Sequence, residues 1–337
     1  MAVKHVMLAW LVWATVAVQA GAQGVTAEIS TTGGVSSDHV LAAATQARLF
    51  GEVRTVRFFA EGAWTRSTER EDGQSSEAFT TAYPYEGPPR LMDAYAERRF
   101  GNTTAVASLR GGRLRTPFGI YDASDHAYNG FLRAPLIRYE GYWSLTNSLL
   151  EHGVNLMAGT SWLQGEVTVG RSADVSDDLV RRDGTNVVLR GQAYYRTIVV
   201  GVSHLRSQAY DLHYATGKMI FTGIDVRWMY AGVQLRGEWL VGRPWDGTST
   251  VGGYVDVLVH RPAMGPLTLV ARVETLDYDT PDPSFADAAS GIALGGRLKL
   301  ADGLHAQLNV THRPSAPYGQ NVTATDAAVT YTFRFLQ

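Results

Sequence analysis

Residues 223–243 read "GIDVRWMYAGVQLRGEWLVGR", and the way the two halves alternate decides the fold. Ile224, Val226 and Trp228 share one face of an extended segment, with Asp225 and Arg227 on the other. After the short break "YAG" the pattern returns. Val233, Leu235, Trp239 and Val241 fall on one face, and Gln234, Arg236 and Glu238 on the other. A period of two over about ten residues is a strand signal, and two such runs joined by a Gly-containing break form a hairpin. The apolar face needs an apolar surrounding, and the charged face needs water.

The same arrangement recurs along the chain. In "GGRLKLADGLHAQLNVTH", Leu298, Leu300, Leu308 and Val310 oppose Arg297, Lys299, His305, Gln307 and Asn309. In "DAAVTYTFRFLQ", Val329, Tyr331, Phe333 and Phe335 oppose Thr330, Thr332 and Arg334. Strands are expected at 24–33, 40–50, 52–65, 90–101, 103–115, 153–160, 162–171, 185–195, 197–206, 218–229, 231–242, 250–260, 266–278, 291–300, 303–312 and 325–335, about sixteen in all. A short helix is the alternative reading of "YWSLTNSLLEHG". Connections alternate between tight turns, such as "GNT" at 101–103 and "ADG" at 301–303, and longer stretches. The long ones are 66–89, 116–152, 172–184, 207–217, 243–249, 279–290 and 313–324, of which 116–152 is the longest. One rim with short turns and one with long loops is a membrane-barrel arrangement.

The first residues, "MAVKHVMLAWLVWATVAVQAGAQG", carry Lys4 and His5, an apolar run to about Val18, and small residues at Val18, Ala20 and Ala22. Residues 1–22 are read as a secretory signal peptide, because the run is shorter than the ~20 residues of a spanning helix. Residues 23–337 form the expected outer-membrane barrel. The chain has no cysteine, so stability cannot come from disulfides. Thirty basic and 32 acidic residues nearly cancel, and no basic run suggests nucleic acid. Thirty-five Gly, 16 Tyr and 8 Trp suit a barrel with aromatic girdles. Only helices and closed barrels satisfy every backbone group inside lipid, and no later segment is long and apolar enough for such a helix. The fold class is therefore all-β: a transmembrane antiparallel barrel of about sixteen strands. Charge on the inner face of strand after strand implies a water-filled lumen. The last strand is expected to close against the first.

These stretches, with "GGYVDVLVHRP", "LTLVARVETLDYD" and "RGGRLRTPFGIYDASDHAYNGFLRAPLIR", resemble bacterial outer-membrane porins, most of all the phosphate-selective porin O/P family. The likeness runs over most of residues 23–337 and rests on an ordered set of strands, not on one sharp motif. It implies a homotrimeric channel in the outer membrane of the bacterial cell, in contact with lipid and passing small hydrophilic solutes or anions. It also implies a third external loop folded inward, which here is 116–152. The expected pore-lining and constriction residues are Arg57, Arg99, Arg110, Arg113, Arg115, Asp122, Asp125, Arg133, Arg138, Arg227, Arg236, Glu238 and Arg272. Arg48, Arg190, Arg297 and Arg334 share the inward faces, as do Glu61, Asp93, Glu97, Glu166, Asp225 and Glu274.

A ring of cations favours anions. The near balance of charge, and a long connection without lysine, favour general diffusion of small solutes with a weak anion preference. A phosphate-selective or sugar-selective channel is the alternative. An enzyme is the less favoured class. Ser203 and His204 are adjacent on one strand and point to opposite faces, and no G-x-S-x-G occurs. "SSDH" at 36–39 and "DASDH" at 122–126 are read as polar loop residues, so no metal, catalytic group or cofactor is expected.

Overall fold

The computed structural model describes residues 23–37, 41–67, 87–102, 104–120, 130–138, 150–172, 180–181, 185–211, 217–244, 248–279, 287–315 and 321–336. The signal-peptide reading of 1–22, the sites Asp122 and Asp125, and most of the helical alternative at 142–153 lie outside these residues.

Sixteen antiparallel strands close one barrel. They are β1 (Gln23–Ser36), β2 (Leu41–Val53), β3 (Val56–Ser67), β4 (Gly87–Gly101), β5 (Ala105–Arg115), β6 (Leu150–Thr160), β7 (Leu163–Ser172), β8 (Thr185–Tyr195), β9 (Ile198–Asp211), β10 (Gly217–Tyr230), β11 (Val233–Arg243), β12 (Ser249–Val259), β13 (Leu267–Asp279), β14 (Asp287–Ala301), β15 (Leu304–Ser315) and β16 (Val322–Leu336). A two-residue bridge, Val180–Arg181, extends the ladder beside the end of β9. Each strand pairs with its neighbours in sequence, and β16 pairs with β1 from Thr26↔Leu336 to Ser36↔Asp326. Closure removes both edges that an open sheet would expose.

Alternation sets the register. Asp225 opposes Glu238, and Arg227 opposes Arg236, so these side chains enter the lumen together. Ile224 opposes Trp239, and both are exposed on the outer wall with Val241, Leu308, Val310, Tyr331, Phe333 and Phe335. An outer wall of exposed Leu, Val, Ile and aromatic side chains on a closed barrel is built for lipid. This is a closed barrel with the outer wall of a transmembrane one.

Turns at the short-turn rim match their sequences. Ala231 and Gly232 both have positive φ, 49° and 78°, the left-handed pair that a two-residue hairpin requires. Several strand ends reach a few residues beyond expectation, and one turn is displaced. The break expected at Gly51, between 40–50 and 52–65, lies later, at Arg54–Thr55, and Gly51 sits within the ladder opposite Phe58. The Phe58 ring occupies the space a Gly51 side chain would need, so this glycine serves packing and not a turn.

Candidate functional site

The barrel interior divides into two regions, and the described parts of the 116–152 connection create the division. Residues 116–120 and 130–138 pack against the inner wall of β9–β16, with Phe118, Ile120, Leu136 and Ile137 fully buried. They meet inward-facing Phe221, Leu240, Tyr254, Leu276 and Tyr278. Phe131 packs with Leu258 and Val270. The wall makes room for these rings and branches. A side chain at Gly223 would strike the Phe118 ring, and one at Gly252 would press on Ile137. Gly119, at φ 66°, lies so close to Arg138 and Glu238 that a Cβ would overlap both.

This seam is dry and densely charged. Arg138 pairs with Glu238 and donates to the Phe118 carbonyl at 2.8 Å. Arg133 forks onto Asp326, Nε to Oδ2 at 2.6 Å and Nη2 to Oδ1 at 3.0 Å, and also reaches Ser36 Oγ at 3.1 Å. Arg236 and Arg272 share Asp256 at 3.0 and 2.7 Å. Arg313 bonds Glu274 at 2.9 Å. The wall also satisfies the backbone of the packed segment. Leu136 N–H donates to Glu274 Oε2 at 3.0 Å, and Leu132 N–H to Asn309 Oδ1 at 3.0 Å. Arg272 Nη1 donates to the Arg133 carbonyl at 2.9 Å. A loop without its own ladder carries unpaired backbone groups into a buried place, and these inward polar side chains complete them.

Five of the expected lumen residues, Arg133, Arg138, Arg236, Glu238 and Arg272, therefore sit inside the seam, all 5 % exposed or less. They hold the segment to the wall and do not meet the open space. Asp256, Arg313 and Asp326 belong to the same seam and were not singled out from the sequence. For Asp256 the signal was the strand "GGYVDVLV", where Tyr254, Asp256 and Leu258 point inward while Val255 and Val257 point out. A strand with Tyr and Leu on its inner face as well as Val on its outer one has that inner face covered.

The open space lies on the other side, a cavity of about 690 Å³ between strands β1–β10, β16 and residues 116–119. Six arginines line it, Arg48, Arg110, Arg115, Arg190, Arg227 and Arg334, against four carboxylates, Glu28, Glu61, Asp93 and Glu166. Part of this charge is chained. Arg48 reaches Glu61 at 2.6 Å and Glu28 at 3.3 Å. Arg115 pairs with Glu61 and lies 3.0 Å from Asp93, and Arg334 is 2.5 Å from Glu28. Two arginines are held loosely. Arg110 lies over the Tyr95 ring at 4.5 Å and is 3.8 Å from Glu97. Arg227 has no carboxylate partner among the described residues. With the Gln192 amide oriented Oε1-first, that oxygen accepts from Arg227 at 2.6 Å and from Arg190 at 3.0 Å.

Of the other expected residues, Arg57 pairs with exposed Glu52 at 3.2 Å beside the short turn, and Arg99 bonds Glu97 at 2.8 Å. Arg113 differs from expectation. It opposes Ala94 and His152, on the register that faces outward beside Leu109 and Val154, while Arg110 and Leu114 face in. Among the described residues no cluster of His, Asp and Glu is arranged to hold a metal ion.

No protein-family model matches this sequence, and no curated protein is detectably similar to it. Solved structures are similar in fold. OmpF of Salmonella typhi, in complex with daunomycin, aligns at TM-score 0.63 and 10 % identity over 94 % of this chain and 99 % of its own. OprB of Pseudomonas putida aligns at 0.61 and 10 % over 97 % of both chains. An anion-selective porin from Comamonas acidovorans aligns at 0.63 and 10 % over 93 % of this chain and 100 % of its own, so the fold of the present chain is that of the bacterial outer-membrane porins.

Proposed function

We propose that this protein is a passive diffusion channel for small hydrophilic solutes with a weak preference for anions. The observation that carries the reading is the excess of six arginines over four carboxylates around the open cavity. Fixed cations in a passage lower the barrier for anions and raise it for cations. Because Arg48, Arg115 and Arg334 are chained to carboxylates and Arg190 pairs with Asp225 at 3.0 Å, the excess acts through Arg110 and Arg227. Residues 116–120 and 130–138 fill one side of the lumen, and the remaining aqueous path runs past the facing wall. In this reading residues 1–22 are a cleaved export signal, the channel is a homotrimer, and it carries no catalytic machinery.

A sugar-selective channel is the second reading. It is favoured by the Phe59 and Tyr95 rings, 5.4 Å apart on the same cavity wall, on which a flat ligand could stack. Inorganic phosphate is the other candidate solute, through Arg227.

Planar-bilayer recording across a KCl gradient tests the main reading. A reversal potential of the sign for chloride preference is expected, moving toward zero in Arg110→Gln/Arg227→Gln. Absence of conductance, or cation preference in the wild type, refutes it. Block by millimolar phosphate or by a sugar shifts the assignment to the corresponding alternative.

A further inference from the structure

The outer wall carries a second charged feature that conduction does not use. On β6–β11 the rim bearing the long connections presents His152, Arg171, Arg206, Lys218 and Arg243, each exposed on the outward register. Arg206 and Arg243 flank the same residue, Ile220, across three neighbouring strands, and Lys218 lies one step further toward the rim on the strand between them. None of the five has an ion-pair or hydrogen-bond partner among the described residues. On the same strands Glu151, Glu166, Asp225 and Glu238 all face the lumen. Elsewhere on the circumference the sign reverses, with Asp277 and Asp279 of β13 exposed on the outward register.

Immediately below the basic rim the wall is apolar. Val154, Val169, Val202, Ile224 and Val241 are all about half exposed. Unpaired cations above a greasy wall match one kind of molecule, with an anionic head and acyl chains beneath it. We propose that this sector of the barrel binds phosphate-bearing lipid headgroups of the leaflet at the long-connection rim. Basic side chains at a membrane surface attract anionic headgroups. Placed at the interface and not at the midplane, they cost little to keep beside lipid. Guanidinium groups suit phosphate because their planar fork donates two hydrogen bonds at once. Confinement to β6–β11 and the adjoining Arg113 of β5, which opposes His152, makes the bound lipid a patch on one side of the molecule and not a complete annulus.

The test is native mass spectrometry of the detergent-solubilised protein titrated with phosphatidic acid or with phosphatidylcholine of the same chains. Wild type is expected to retain phosphatidic acid at least ~10-fold better, with retention falling as salt rises. Arg171→Gln/Arg206→Gln/Lys218→Gln/Arg243→Gln is expected to lose it by up to roughly fivefold per side chain, down to the retention of phosphatidylcholine. Asp277→Asn/Asp279→Asn should leave it unchanged, and inorganic phosphate should not compete, because the acyl chains are part of the fit. Single-channel conductance of the quadruple variant should equal wild type, since these residues face away from the lumen. Equal retention of the two lipids by wild type overturns the proposal, as does undiminished phosphatidic acid binding by a quadruple variant that conducts normally. Should that variant fail to fold, the lipid preference and salt dependence of wild type decide the question alone.

Discussion

The two sides of the lumen use the same residue types to opposite ends. In the seam, Arg138 and Glu238 are both sealed from solvent, and Arg272 and Asp256 are 2 % and 0 % exposed at the side chain. In the open passage, Arg110 keeps 30 % of its side-chain surface and Arg334 keeps 60 %. Sealed charges cannot act on a passing ion. They act on residues 116–120 and 130–138, whose carbonyls and N–H groups they complete. Exposed charges keep contact with water, and where no carboxylate holds them closely, as at Arg110, their field reaches solute. Inward placement alone therefore does not make a residue pore-lining. What covers it decides.

That contrast can be broken by mutation, and the seam should give the largest effects. Glu238→Ala strands the Arg138 guanidinium in a dry place, and loss of one partner of a buried pair costs about 3–5 kcal/mol. Urea unfolding in detergent should show a drop of that size, whereas Arg138→Leu/Glu238→Leu should recover most of it because no uncompensated charge remains. A drop no larger than for an exposed pair would mean that the seam is wet. Next in size is Gly223→Val. Its side chain meets the Phe118 ring, and overpacking of this kind costs ~1–3 kcal/mol. The displaced segment should also raise single-channel conductance, and an unchanged conductance would separate the seam from the passage.

Arg48→Ala should cost on the order of 1 kcal/mol. Its side chain is 13 % exposed, and both carboxylates it touches keep other arginines, Arg115 for Glu61 and Arg334 for Glu28. The smallest effect is expected at the short-turn rim. Arg57 and Glu52 are 44 % and 43 % exposed, so Arg57→Ala should change stability by less than about 0.5 kcal/mol. Thermal midpoints of the four variants should fall in this order.

Much of the barrel was legible from sequence because period two is imposed by the strand itself. Ile224, Trp239, Leu308 and Phe333 had to share an apolar surrounding wherever the chain went, and the structure puts them all on the outer wall. The division of the lumen was not legible. Nothing local in "LRAPLIR" says that Leu136 and Ile137 lie under Leu240 and Leu276, since that contact joins positions more than a hundred residues apart. The inner face looked wet because Asp225, Arg236 and Glu238 are charged. A buried ion pair and a wetted one have the same composition, and only the third partner distinguishes them. Gly51 misled for a related reason. A glycine that admits a neighbouring ring and one that turns the chain are written with the same letter.

The β1–β16 ladder has a kinetic side. Ser30 and Thr332, in hydrogen-bond contact at 3.0 Å, are 302 positions apart. The first strand made must wait, with one edge unsatisfied, until the last strand arrives. Long-range pairing of this kind is slow and leaves an adhesive margin open meanwhile. Shepherding by other molecules until that final zipping is thus a demand written into the circular order of the strands.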